Sequence, residues 1–557
     1  MIPETIMPRT YRKRVTLLLF AALFFRFWLG QTFELSEAEA YAWLKGKNWD
    51  WGYWDQGAGV PWLAAIGSAL FGDTELGLRC ITAALYASMG FILFLTARLW
   101  YNPQNAFYCV LLYLITPLYA WKTILLNEAS VSLALMALAL YGIAFLLHIP
   151  TWRGAILAGL ACAGGIMVAW SNLTWILGLG LYYWVNRRSD RPIPRRRMLL
   201  TAAITLVGFL PALVWHYQMG LFKERTLFFI EIATRLHTQF ELSRLVEFFI
   251  RQFWLLGPAL SMALILAIVF IRRAHTTQHI TTLLLCFSLP GFLLAIFRYA
   301  LGNPHPYWEM VFYYPTMIVA VSVWAHLTQG NRVWRFVLLA VLVATAFQSL
   351  YGIVGRKENI FGPIERRCVE VQSWQGFADQ IQRINEHIGA TFIITDDAYV
   401  AASLTFYLRD ATTTYLTPER ARENQYQFWP SFDDHVNYDA LLIFTRDTGP
   451  SPDLAAQFRS VEPLPLEDVP DTFPHTWRYF IGRGFSQTAY AADEERDTSS
   501  RKKHRPHPSH DEPLPAEFTP APPDKPLDDL PPLLHAPESS GAATSRQSES
   551  FKTRKKE

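Results

Sequence analysis

The chain has 557 residues, of which 51% are hydrophobic and 17% charged, against roughly one quarter charged in an average soluble domain. The net charge of +3 is too small to point to nucleic acid. The cysteines Cys80, Cys109, Cys162, Cys286 and Cys368 include no pair at metal-ligand spacing, and only Cys368 lies in a polar region, so neither a disulfide framework nor a cysteine metal site is expected.

A basic stretch, Arg9 to Arg14, precedes an apolar run from Val15 to Leu29. No small-residue cleavage motif follows, so the run reads as a first membrane span kept as an anchor. A span needs about 20 mostly apolar residues. On that criterion spans are expected near 14–32, 76–100, 104–121, 127–148, 153–169, 171–186, 197–219, 247–272, 278–299, 308–328 and 332–355, about eleven in all. Residues 60–72 are apolar but too short to cross and read as a helix lying in the interface.

Positive charge orients such a bundle. Arg9, Arg12, Lys13 and Arg14, the loop Arg187–Arg197, the pair Arg272 and Arg273, and Arg332 with Arg335 all fall on one side of an eleven-span count. That side is cytoplasmic, which puts the N-terminus inside and the acidic 33–75 loop on the periplasmic side of an inner membrane. Residues 1–356 thus form a polytopic α-helical membrane domain. Across 357–485, short apolar runs (TFIIT, ALLIF) alternate with amphipathic patterns such as WQGFADQIQRINEHI, which predicts a small periplasmic α/β domain. Residues 486–557 are rich in Pro, Ser and charge and read as a disordered tail.

Three clusters converge on the outer face in this topology. The first, Leu35 to Gly59, opens with Glu37 and Glu39 and continues through Tyr41, Trp43, Trp49, Trp51, Tyr53, Trp54 and Asp55. Carboxylates here can act as a general base or hold a divalent metal, and aromatic faces can stack on sugar rings. The same residues also read as a solvated acidic loop beside an interfacial aromatic belt. The second cluster, Trp121 to Ala129, holds Lys122 and Glu128; Lys122 can meet a lipid phosphate or snorkel to a headgroup. The third, Phe297 to Met310, holds Arg298, His305 and Glu309 in a Pro-rich aromatic setting that suits phosphate, although a lone loop histidine also has a structural reading.

The first cluster carries a family pattern. Glu39-Ala40-Tyr41 with Trp43, then Gly52-Tyr53-Trp54-Asp55, Trp62, Leu70-Phe71-Gly72 and Leu76-Gly77-Leu78-Arg79 follow one another without a gap. Asn127-Glu128-Ala129, the Pro304-His305-Pro306-Tyr307-Trp308 loop leading to Tyr314-Pro315, and Ala401-Ala402-Ser403-Leu404, Phe406-Tyr407-Leu408 and Gln425-Tyr426 with Trp429 extend it. Over about residues 14–480 the chain resembles bacterial family 39 glycosyltransferases, the group that contains protein O-mannosyltransferases and is related to lipid A aminoarabinose transferases. The resemblance implies a C-type glycosyltransferase fold and a polyprenyl-phosphate sugar donor. It also implies attack by an acceptor hydroxyl of a lipid, glycan or protein, usually with inversion. A divalent metal (Mg or Mn) or basic side chains would stabilise the leaving phosphate.

On that likeness Glu39, then Glu37, is the expected base, with Glu39 and Glu128 as metal candidates. Lys122, Arg298 and His305 would meet the donor phosphate. Tyr41, Trp54, Asp55 and Glu128 would shape the substrate pocket. Three positions depart from the family. Ala38 stands where the family has a catalytic Asp, Glu128 stands where the second motif carries Asp, and Gln56-Gly57-Ala58 replaces His-Pro-Pro. Ala38 keeps open a second reading: a catalytically lapsed relative that binds lipid-linked glycan or scaffolds envelope glycan assembly. A transporter would need inverted repeats and interrupted mid-membrane segments, and no convincing repeat is present.

Overall fold

The computed structural model describes residues 9–486 except 56, 150, 188–193, 221–241, 271–277, 302–308, 355–370, 372, 410–411, 422–423, 446–448, 465–473 and 475. Cys368, Arg272, Arg273, the 304–308 loop with His305, and the expected tail from 487 onward lie outside the described residues.

The membrane part runs α1 (Arg9–Gly30), α2 (Glu37–Lys47), α3 (Gly59–Phe71), α4 (Glu75–Trp100), α5 (Pro103–Ile115), α6 (Pro117–Lys122), α7 (Glu128–His148), α8 (Trp152–Val168), α9 (Thr174–Asn186), α10 (Arg195–Val207), α11 (Leu210–Gln218), α12 (Leu242–Phe270), α13 (Gln278–Ala300), α14 (Met310–Thr328) and α15 (Arg332–Val354). Among the described residues, seven helical stretches are long and apolar enough to cross a membrane: 75–100, 128–148, 195–218, 243–269, 280–300, 310–328 and 332–353. The other four expected spans coincide with α1, which carries Arg12, Lys13, Arg14 and Arg26, and with the shorter α5, α8 and α9. Pro117 ends α5, and a 3₁₀ turn at Trp170–Leu173 separates α8 from α9.

α7 and α14 sit at the centre of the bundle, and the buried core includes Leu133, Met136, Leu140, Tyr314, Met317 and Ile318. At its edge α15 exposes Val333, Phe336, Leu339, Val343 and Phe347 at helical spacing, and α12 exposes Val246, Phe249, Ile250 and Phe253. Water would penalise such stripes, and lipid tails cover them without cost. α12 is broken at Gly257, whose φ of 69° suits glycine, just before Pro258. Thr345 Oγ1 accepts from Ala259 N–H at 2.8 Å, and Gln348 Nε2 donates to the Trp254 carbonyl at 2.9 Å, so α15 supplies partners at the break.

The second part holds α16 (Trp374–Ile388), β1 (Phe392–Thr395), α17 (Ala398–Leu408), β2 (Thr413–Leu416), β3 (Ala440–Phe444), β4 (Phe458–Pro463) and β5 (Arg478–Phe485). The strand order is β2-β1-β3-β5-β4. The TFIIT and ALLIF runs are the parallel central pair β1 and β3, in register Phe392↔Ala440. β5 pairs antiparallel with both β3 and β4. Fully buried central strands read as continuous apolar runs, which is why these two stood out.

The two parts share one apolar cluster, which joins Leu35, Tyr41, Val60 and Leu126 to Phe377, Leu404 and Ile443. Polar ties reinforce it. Glu34 accepts from Ser373 Oγ (2.7 Å), Trp374 N–H (2.6 Å) and Gln375 N–H (3.3 Å), a carboxylate at the N-terminus of α16. Tyr407 accepts from Leu35 N–H at 2.8 Å and donates to Glu75 at 3.1 Å.

Candidate active site

α2 orders the first cluster. Ser36 is its N-cap and Glu39 its third residue, and the two close a capping box. Glu37 and Glu39 lie in the first turn and Lys45 and Lys47 in the last, each sign matched to the helix dipole. The helix is therefore stable for local reasons and presents acidic and basic groups at fixed places.

Glu39 is fully buried, and its carboxylate is heavily subscribed. It accepts from Arg79 Nη2 at 2.8 Å and Nε at 3.2 Å, from Ser36 N–H at 3.0 Å and Oγ at 3.2 Å, and from Leu126 N–H at 3.0 Å. Arg79 also donates to the carbonyls of Gly30, Phe33 and Glu34. The carboxylate binds the end of α1, the start of α4 and the 122–127 turn together, with no open lone pair for a hydroxyl proton or a metal ion. Glu128 alone does not make a metal site, and no group of three or more metal-type ligands occurs among the described residues, so no step is routed through a metal. The signal was present in the sequence: Ser36-x-x-Glu39 has capping-box spacing, and Arg79 is a lone arginine near the head of an apolar run.

The other members gather around Lys45. Its side chain is completely buried, its Nζ lies 2.5 Å from Asp55 Oδ1 and 3.8 Å from the centroid of the Tyr41 ring, and Glu128 is within electrostatic range. Burial pulls the Lys45 pKa down, against an opposing pull from Asp55 and Glu128. Asp55 keeps 32% of its side chain exposed. Glu128, the first residue of α7, also lies within electrostatic range of Arg298 at the end of α13. Lys122, the last residue of α6, is buried, and its carbonyl accepts from Ser130 Oγ at 3.3 Å. Glu37 is also buried, at 2% exposure. The three clusters therefore meet at one end of the bundle: Leu126 reaches Glu39, and Glu128 links Lys45 to Arg298. His305 lies outside the described residues. Lys45 was not singled out in the sequence, where a lysine in the last turn of a helix reads as a solvated charge.

The aromatic expectations divide. Trp54 is half-buried, and its backbone N–H donates to Gln425 Oε1 at 2.7 Å. Tyr41, expected as a sugar platform, is 2% exposed; its ring lies under Lys45 and parallel to Tyr426, and its hydroxyl accepts from Gln425 N–H at 3.2 Å. Burial first, then Asp55, pushes its pKa well up. Tyr41 is thus a joint between the two parts. The half-buried aromatic rings beside it belong to Tyr399, Tyr426 and Trp429, while the Trp54 ring meets Phe428.

A many-helix membrane bundle with an outer α/β layer over a carboxylate-and-cation cluster defines a class, the C-type glycosyltransferase fold. The match to solved structures agrees: ArnT from Cupriavidus metallidurans bound to undecaprenyl phosphate superposes with a TM-score of 0.51, covering 85% of this chain and 98% of that one at 15% identity. The family described as dolichyl-phosphate-mannose-protein mannosyltransferase matches residues 55–215. The lipid A galacturonosyltransferase RgtD of Rhizobium johnstonii is 21% identical over 378 residues, 67% of this chain and 78% of the relative. An undecaprenyl phosphate-alpha-4-amino-4-deoxy-L-arabinose arabinosyl transferase of Pseudomonas fluorescens is 30% identical over 174 residues, 29% of this chain and 30% of the relative. The chain is a multi-pass membrane glycosyltransferase, similar to that mannosyltransferase family and to these lipid A sugar transferases.

Proposed function

We propose that this glycosyltransferase takes its sugar, a pentose or hexose, from a polyprenyl-phosphate donor and delivers it to a lipid acceptor on the periplasmic side of the inner membrane. The N-terminus is then cytoplasmic and the 357–485 domain periplasmic, with membrane lipid supplying both the donor and the surroundings. The names of the relatives and the gathering of acidic and basic groups at one end of the bundle support this reading.

The observation that carries the assignment of roles is the full occupation of Glu39. With Ala38 unable to act and Glu39 holding Arg79, the base is Glu37, which shares the first turn of α2. The acceptor O–H gives its proton to Glu37. The oxygen forms a bond to the anomeric carbon as the anomeric C–O bond to phosphate breaks, and the bonding pair leaves on polyprenyl phosphate. Lys122 and Arg298 meet that developing charge, while Asp55, Trp54 and Glu128 hold the sugar and acceptor.

Glu37→Gln is expected to lower kcat by about 10²–10⁴-fold while the purified chain still binds undecaprenyl phosphate. A fully active Glu37→Gln protein removes Glu37 as the base. Ala38 favours one second reading, binding without transfer. An intact chain that binds the carrier yet transfers no sugar from any polyprenyl-phosphate extract would establish that reading instead.

A further inference from the structure

Arg26 takes no part in the site above, yet it is a cation buried in the membrane domain at 6% exposure. It lies in the last turns of α1, and among the described residues it forms no ion pair. A permanent charge at such depth is costly and marks function by default. Its partners are neutral. Nη2 donates to the carbonyls of Tyr119 at 3.0 Å and Ala120 at 2.8 Å, and the guanidinium carbon sits 3.4 Å from the centroid of the Tyr86 ring.

Those two carbonyls belong to α6, a six-residue helix set off from α5 by Pro117. The last four carbonyls of any helix lack intrahelical donors, and their summed dipole presents negative charge. In α6 they are two-thirds of the helix. Thr123 Oγ1 also donates to Tyr119, and Arg26 brings a charge to this end from another helix. α6 and the end of α5 just before it are also held by α15. Ser349 donates to the Ile115 carbonyl and accepts from Trp121 Nε1 at 2.7 Å, and Gly352 lies so close to the Trp121 indole that a Cβ there would overlap it. A short helix has little rigidity of its own, so its direction is set by these two grips. Lys122 is its last residue, two positions after Ala120.

We propose that Arg26 is a positioning residue: by binding the carbonyl end of α6 it fixes where the Lys122 ammonium stands, and so sets the affinity for the phosphate of the lipid carrier. This rests on the reading of Lys122 as a phosphate contact. The simpler alternative, that Arg26 only stabilises the fold, predicts a lower melting temperature without coupling to Lys122.

The test is a double-mutant cycle on the full chain in detergent, with undecaprenyl phosphate as the probe. Lys122→Ala is expected to raise its Kd by about 10-fold, the worth of one charge-assisted phosphate contact. Arg26→Met is expected to raise it by a similar factor, and Arg26→Lys by about 3-fold because an ammonium keeps the charge but not the two-carbonyl grip. In the Lys122→Ala background neither Arg26 change is expected to weaken binding further. Should Arg26→Met fail to insert, Arg26→Lys completes the cycle. Equal losses with and without Lys122, or an unchanged Kd beside a lowered melting temperature, overturn the proposal. An unchanged Kd for Lys122→Ala alone removes Lys122 from the site, and the positioning role with it, while leaving the Glu37 assignment to its own experiment.

Discussion

The end of the bundle beneath the α/β layer holds two carboxylate–cation pairs built on the same helix, and they differ in kind. In Glu39–Arg79 both side chains are buried, at 0% and 1% exposure, and the carboxylate takes its hydrogen bonds from three separate segments. In Asp55–Lys45 the lysine is fully buried while the aspartate stays 32% exposed. A pair sealed on both sides has no face open to a substrate and ties the surrounding segments together. A pair with one open face holds a carboxylate in a fixed place and still offers it to the pocket. Burial of the partner oxygens, more than residue type, thus separates the two roles.

The sharpest way to break this distinction is Glu39→Gln. It leaves Arg79 charged in a buried site, at a cost of about 3–5 kcal/mol. A large fall in melting temperature is expected, with transfer lost in proportion to folded protein. Arg79→Met in the same chain should recover only part of the loss, because Arg79 also satisfies the Gly30, Phe33 and Glu34 carbonyls. Retention of the wild-type melting temperature by Glu39→Gln with loss of transfer would return Glu39 to the chemistry.

Asp55→Asn is the milder counterpart. It strips the buried Lys45 of its nearest counter-charge, but solvent reaches the aspartate side, so the expected cost is about 1–2 kcal/mol. The effect on function should exceed the effect on stability: KM for donor or acceptor rises, since Asp55 is proposed to face substrate, while kcat changes less. A KM unchanged within error would make the pair structural like its neighbour.

Both pairs show what the sequence could and could not reveal. The bundle was legible because apolar length and charge bias are averages over many residues, and β1 and β3 were legible because buried parallel strands leave uninterrupted apolar runs. The convergence of the 35–59, 121–129 and 297–310 segments followed from the span count. The different surroundings of Glu37 and Glu39 did not, because two glutamates two residues apart differ only in what folds onto them. The Leu126 N–H and Arg79 come from 87 and 40 residues away. Lys45 and Arg26 were invisible for a related reason: a cation near a helix end ordinarily reaches water, and only the packing of the α/β layer over Tyr41, or of α6 against α1, closes that route.

The smallest effect concerns a third ionisable group, half-buried with no ion pair among the described residues. His435 stacks on Phe392, with ring centroids 4.6 Å apart at 13°, and its Nε2 lies 3.0 Å from the Tyr415 hydroxyl. Burial lowers its pKa from the ordinary 6.5, with Asp434 pulling the other way. The unfolded chain therefore binds more protons between the lowered value and 6.5, so stability rises with pH across that window and is lost on acidification through it. Melting curves of the full chain from about pH 7.5 to about pH 5 should show a shallow acid loss that His435→Phe reduces. An acid loss as steep in His435→Phe as in the parent would place the titrating group elsewhere.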